Sequence, residues 1–293
     1  MVNNMETLRI LGISGFVKRH PLPIYFALVF IISWGSILFL VGPKGFPGEG
    51  MQLQRLFPLV FPAMIAGPSL AGILLTGLID GREGLRGLLS RMSRWHIDIR
   101  WYGVALLVTP LLLIAILAAL TLISPVFVPS IITTSDRTAL LVLSVVLGLA
   151  AGFFEEVGWT GFAVPKMQLR YGAFVASLLL GLIWAMWHLL ADFWGGYAAF
   201  GMLYIPHFLL WVVALPAYRI LMVWVYNNTG SLFVAQFMHA SYSGSQYLLG
   251  PSASAADNVL WNAVFAVSLW IVVALVFFVG GAKMSVRNNI EMD

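Results

Sequence analysis

Residues 138–163 read TALLVLSVVLGLAAGFFEEVGWTGFA, and the reading of this stretch decides the fold. It carries no charge from Thr138 to Phe154, and a helix needs about 20 mostly apolar residues to cross the hydrocarbon core of a bilayer. A span is therefore expected here, reaching Ala163 and stopped by Pro165, which cannot continue a helix. Comparable runs lie on either side, at 24–41, 56–79, 101–123, 173–192, 203–225, from about 231 onward, and at 259–279. The expected fold class is all-α: a polytopic transmembrane helix bundle of about eight spans. Pro206 and Pro216 suggest that the sixth span is kinked or broken.

Composition agrees. Of 293 residues, 60% are hydrophobic and only 10% charged, with a mean hydropathy of +0.93. A soluble fold of this size lacks the polar coat to hide so much apolar surface, which excludes a soluble enzyme, a nucleic-acid binder and a disordered chain. The runs are continuous rather than alternating, which excludes a transmembrane β-barrel. There is no cysteine, so disulfides, thiolate catalysis and cysteine-ligated metals are out. No linker, low-complexity tract or internal repeat divides the chain. Residues 1–293 read as a single integral membrane domain, with the motifs concentrated at about 140–245.

Lysine and arginine concentrate in cytoplasmic loops. With the N- and C-termini cytoplasmic, the inside segments hold Arg9, Lys18, Arg19, five arginines of a basic, partly helical loop (Arg82, Arg86, Arg91, Arg94, Arg100), Lys166, Arg170, Arg219, Lys283 and Arg287. The outside segments hold Lys44, Arg55 and Arg137. This strong bias supports eight spans in a prokaryotic cytoplasmic membrane, with the lipid bilayer as partner. The first run is long for a signal peptide and no small-residue cleavage site follows it, so it reads as a retained span. Gly148-xxx-Gly152 would let the fourth helix approach a neighbour closely.

An ionisable side chain inside a span costs roughly 2.5–3.5 kcal/mol on insertion scales and needs a reason. Six residues pose the question: Glu155, Glu156, His188, Asp192, His207 and His239. Glu155 and Glu156 point about 100° apart on one helix, so they do not face one cavity equally. They could instead cap a shorter helix, but carboxylates at a helix C-terminus oppose the macrodipole. His188 lies in an aromatic setting, Trp184-Ala-Met-Trp-His. Asp192, one turn on, either orients its imidazole or reaches the outer surface. His239 heads His-Ala-Ser-Tyr-Ser, with Ser243 on the same face. His207 reads as structural or interfacial, and His96 as a solvated loop residue. Taken together, two carboxylates and two histidines on three spans suggest one polar cavity suited to activating water and stabilising an oxyanion.

At these residues the sequence resembles the CAAX protease and bacteriocin-processing (CPBP/ABI) family of intramembrane glutamic endopeptidases, which includes the type II CAAX prenyl endopeptidases. That family carries Glu-Glu-xxx-Arg, Phe-xxx-His and His-xxx-Asn/Asp on separate helices of an eight-span fold. This chain has Glu155-Glu156-Val157-Gly158-Trp159-Thr160, then Trp184-Ala185-Met186-Trp187-His188, then His239-Ala240-Ser241-Tyr242-Ser243. The resemblance implies an endopeptidase with a cavity open to the cytosol. Glu155 resembles the base that activates water and Glu156 its supporting carboxylate. His188 and His239 resemble the pair that holds the water and stabilises the oxyanion. Thr160, Trp184 and Ser243 stand at supporting positions. The implied partner is a peptide or protein substrate, membrane-embedded or lipidated, and no cofactor is expected.

Three positions depart from the family pattern: Thr160 for Arg, Trp184 for Phe and Ser243 for Asn/Asp. Thr160 can hydrogen-bond Glu156 but supplies no charge, so the two carboxylates are expected to share a proton. Three alternatives stand beside the peptidase. A zinc ion could sit among Glu155, His188 and His239, although no His-Glu-x-x-His pair is present. Buried Glu and His could relay protons in a proton-coupled transporter, although no inverted repeat is visible. A non-catalytic scaffold or immunity protein could keep the fold without the chemistry.

Overall fold

The computed structural model describes residues 15–280, and these contain helices and no strand. Eight long helices follow one another: α1 Pro21–Val41, α2 Gly50–Met92, α3 Ile99–Thr121, α4 Arg137–Gly158, α5 Val164–Phe200, α6 Tyr204–Thr229, α7 Leu232–Leu249 and α8 Ala255–Gly280. Five helical stretches are long and apolar enough to cross a membrane: α1, α2, α3, the continuous stretch Arg137–Thr229 that holds α4 to α6, and α8 as far as Phe278. The chain is a polytopic helical membrane protein. The termini expected to be cytoplasmic, with Arg9, Lys283 and Arg287, lie outside the described residues.

Two long helices turn at glycine. In α2 the break is at Gly81 (φ 64°), so the basic segment after it is a separate helical piece ending at Met92. In α5 it is at Gly172 (φ 74°). Both angles lie in the left-handed region that glycine occupies without a Cβ penalty. Pro165 does not end the helix, contrary to the sequence expectation. It falls in the first turn of α5, where its missing N–H is no loss, and Gly172 makes the turn instead. Pro216 does not break the sixth helix either, since α6 runs on through it to Thr229.

One helix rich in uncharged polar residues is packed inside the bundle. α7 carries Gln236, His239, Ser241, Ser243, Ser245 and Gln246 and packs against α4 and α3. The α4–α7 contact depends on Gly148 and Gly152, as the spacing implied. A Cβ at Gly148 would come 2.5 Å from the Ala240 carbonyl oxygen, and one at Gly152 would come 2.3 Å from that of Gln236. Backbones this close cannot hold any side chain between them.

The loops define two ends. At one, the Gly48 N–H donates to the Trp194 carbonyl (2.9 Å) and the Ser130 hydroxyl donates to the Gly250 carbonyl. At the other, the Ser231 hydroxyl donates to the Arg94 carbonyl (2.5 Å) and Arg91 donates to the Gly161 carbonyl (3.0 Å) and the Tyr226 hydroxyl (2.7 Å). This second end carries the arginine-rich segment.

Candidate active site

Between α4 and α5 the helix widens. Residues Trp159–Ala163 are π-helical, and the Trp159 N–H reaches the carbonyls of both Glu155 and Glu156. Such widened turns recur at functional sites because they re-aim neighbouring side chains. Here they follow the two carboxylates, which diverge as adjacent helical residues must. Glu155 lines a cavity of about 540 Å³, and Glu156 lies behind it. Both are buried.

Glu155 Oε2 accepts from Trp184 Nε1 (2.9 Å), with Trp159 Nε1 at 3.4 Å. Its other neighbour is His239 Nε2, at 4.0 Å. Glu156 is the hub of the site. Its Oε2 accepts from Arg219 (2.7 Å) and from the Thr160 hydroxyl, and its Oε1 accepts from Arg219 (3.1 Å). The same Oε1 takes a bond from His239 Nδ1 (2.7 Å). That bond fixes the imidazole and turns its Nε2 edge toward Glu155. A carboxylate that orients an imidazole through one nitrogen leaves the other for chemistry.

His188 also lines the cavity. Its Nδ1 meets the Trp184 carbonyl (2.8 Å), and its ring stands edge-on to Trp187 and Trp211 at centroid distances of 4.8 and 5.2 Å. Trp184 does more than its sequence position suggested. Its indole N–H holds Glu155, its carbonyl holds His188, and its ring lies 4.3 Å below the Arg219 guanidinium. Ser243 lines the cavity. Asp192 does not orient His188; it pairs with His207, 3.5 Å away. His207 is therefore a cavity residue. His96 is exposed, as expected.

Arg219 joins the site although the sequence places it elsewhere. The charge count places it among the inside-loop cations, yet it is fully buried in α6. The signal was available: it sits in Tyr-Arg-Ile-Leu-Met-Val-Trp-Val, an apolar run where a cation requires a partner. Its presence corrects the reading of Thr160. The charge absent from position 160 arrives from another helix, in the two-point geometry suited to a carboxylate. The premise of a proton shared between Glu155 and Glu156 is thereby removed.

The cavity is lined from α2, α4, α5, α6, α7 and α8. Glu155 and His239 form its inner end. The exposed lining residues Phe57 and Gly195, with Gly250 and Asn258 beside them, mark its mouth at the end of the bundle away from the arginine-rich segment. The charge count that puts the basic end inside and an opening toward the cytosol therefore do not hold together. Among the described residues, no group of three or more His, Cys, Asp or Glu is placed to hold a metal ion.

Residues 137–245, from the start of α4 through most of α7, match the family model for type II CAAX prenyl endopeptidase Rce1-like. A curated relative, CAAX prenyl protease 2 of Methanococcus maripaludis, is 25% identical over 177 residues, which is 58% of this chain. The alignment covers 62% of that relative's length.

Proposed function

We propose that this chain belongs to the CAAX protease family, which it resembles across its motif helices, and is an intramembrane endopeptidase in which Glu155 activates water. The observation that carries the reading is the placement of the Glu155 carboxylate at the inner end of the cavity, facing the Nε2 edge of an imidazole that a second carboxylate orients.

In this reading Glu155 takes a proton from a water held with His188 and the water oxygen adds to the peptide carbonyl carbon. The carbonyl π pair moves onto oxygen, and His239, protonated on both ring nitrogens with its Nδ1–H held by Glu156, donates from Nε2–H to the resulting oxyanion. Collapse breaks the C–N bond, and the proton held by Glu155 passes to the leaving amine. Arg219 and Thr160 hold Glu156, and Trp184 holds Glu155. Ser243 supports the oxyanion side. The chemistry needs no cofactor. The substrate class is a peptide or protein segment, membrane-embedded or lipidated, in a prokaryotic cytoplasmic membrane.

The test compares new peptide termini in the membrane proteome of cells carrying wild type and cells carrying Glu155→Ala at equal abundance. Termini found only with wild type support the peptidase and name its substrates. If no termini differ and the variant cells keep the wild-type phenotype, the scaffold reading replaces it.

A further inference from the structure

Two glycine-hinged helical pieces lie at the arginine-rich end. The first, residues 82–92, follows Gly81 and crosses the base of the bundle. A Cβ on Gly161 would come 2.7 Å from Leu88, Arg91 bonds Gly161 and Tyr226, and just beyond the helix the Arg94 carbonyl accepts from Ser231. This piece therefore runs from the end of α2, past the end of α4, to the turn between α6 and α7. The second, residues 164–171, precedes Gly172 in α5, and its Lys166 pairs with Asp80 at 3.5 Å.

At about 100° per residue, the first piece sorts its side chains into four arcs. Leu88, Arg91 and Met92 face the bundle, buried or half-buried. Leu85 and Leu89 come next, and Leu89 is 62% exposed. Arg82 and Arg86 follow, and then Glu83, Ser90 and Gly87, all of them exposed. An apolar arc beside a cationic one, with the remaining polar residues beyond, is the order of a helix lying in a membrane interface. The second piece repeats the pairing, with Leu169 at 90% exposure beside exposed Arg170 and Tyr171. Trp95, 57% exposed, adds an aromatic of the kind enriched at headgroup level.

The cations of this face are free to bind. Lys166 occupies Asp80 and Arg100 occupies Asp98. Arg82 and Arg86 have no ion-pair or hydrogen-bond partner among the described residues. Arg91 fastens the piece to the bundle from its other side, so the outward arginines and leucines do not hold the fold.

We propose that this face binds an anionic phospholipid: Arg82 and Arg86 hold the headgroup phosphate, and Leu85 and Leu89 enter the acyl-chain boundary beside it. A free phosphate would leave both leucines uncovered, whereas a lipid matches the cationic arc and the apolar arc together. The proposal does not draw on the chemistry of the cavity.

The test uses the full chain in a neutral detergent, with binding of phosphatidylglycerol or phosphatidylcholine of the same acyl chains read by native mass spectrometry. Phosphatidylglycerol should bind more tightly. An arginine near an anionic surface contributes about fivefold, so Arg82→Gln with Arg86→Gln should weaken phosphatidylglycerol by roughly 30-fold and leave phosphatidylcholine nearly unchanged. Leu85→Asn with Leu89→Asn should weaken both lipids. Arg137→Gln, which removes an exposed cation at the other end of α4, should change neither. Inorganic phosphate, glycerophosphoglycerol (the same headgroup without acyl chains) and polyglutamate, each at the lipid's concentration, should not displace it. Equal binding of the two lipids, a preference that survives loss of both arginines, or an equal loss in Arg137→Gln overturns the proposal. Displacement by either chainless phosphate would mark a free-phosphate site, and displacement by polyglutamate a site for an acidic protein; both also overturn it. The comparison of the two lipids on wild type decides the matter even if a variant fails to fold.

Discussion

Arg219 on α6 and Glu156 on α4 form a two-point ion pair, with bonds of 2.7 and 3.1 Å and both side chains fully buried. The pair spans 63 positions of sequence and ties the helix that bears the carboxylates to another helix that lines the cavity. Because Glu156 also holds His239, the pair is linked to the imidazole that faces Glu155.

Removing one partner of a buried ion pair costs about 3–5 kcal/mol, because the other charge is left uncompensated. Arg219→Ala should therefore lower the thermal unfolding midpoint in detergent sharply. Arg219→Lys should recover only part of the loss, since an ammonium does not reproduce the fork geometry. Placing the cation where the family has it, as Thr160→Arg in the Arg219→Ala protein, should raise the midpoint above that of Arg219→Ala alone. A double variant no more stable than the single would show that Glu156 does not depend on a neighbouring cation.

The two glutamates should separate by phenotype. Glu155→Gln keeps an oxygen for the Trp184 indole and should unfold at the wild-type temperature. It should lose about 10²–10⁴-fold in hydrolysis of a substrate peptide, the usual contribution of a general base. Glu156→Gln gives up the ion pair and the anchor of His239, and should lose stability along with activity. Equal stability losses in both variants would argue that Glu155 is structural.

The glycine seam makes a prediction that does not involve the site's charges. Gly152→Val forces a side chain into the Gln236 carbonyl and should lower the unfolding midpoint by several degrees. Gly87→Val, at an exposed position with nothing within 4 Å of the added Cβ, should change it little. Similar midpoints would mean that α4 and α7 can separate without cost.

The absence of cysteine makes the orientation directly measurable. If the basic end is cytoplasmic, a cysteine at Gly87 should be labelled by a membrane-impermeant maleimide only after the cells are opened. A cysteine at the exposed Ser252, at the mouth end, should be labelled in intact cells. The reverse pattern would turn the mouth toward the cytosol and break the charge rule for this chain.

Much of this was legible in the linear sequence, because insertion into a bilayer depends on local apolar length. The eight helices lie where the uncharged runs lie, and Gly148 and Gly152 mark a real close approach. Glu155, Glu156, His188 and His239 were legible as well, since a polar group in an apolar run stands out by its cost. The sequence misled where a residue's role depends on a neighbour from another helix. Pro165 read as a stop and is a first-turn residue. Arg219 read as a loop charge and is the partner of Glu156. Asp192 read equally as a partner for His188 or as an outer-surface residue, and it pairs with His207. By itself, the sequence determined which segments are helices and which side chains are too polar to be idle. Only the tertiary structure decided which of them meet and where the cavity opens. Pairings across 63 or 83 positions, such as Glu156 with Arg219 and with His239, are set by how the helices pack, and periodicity along one helix carries no record of that.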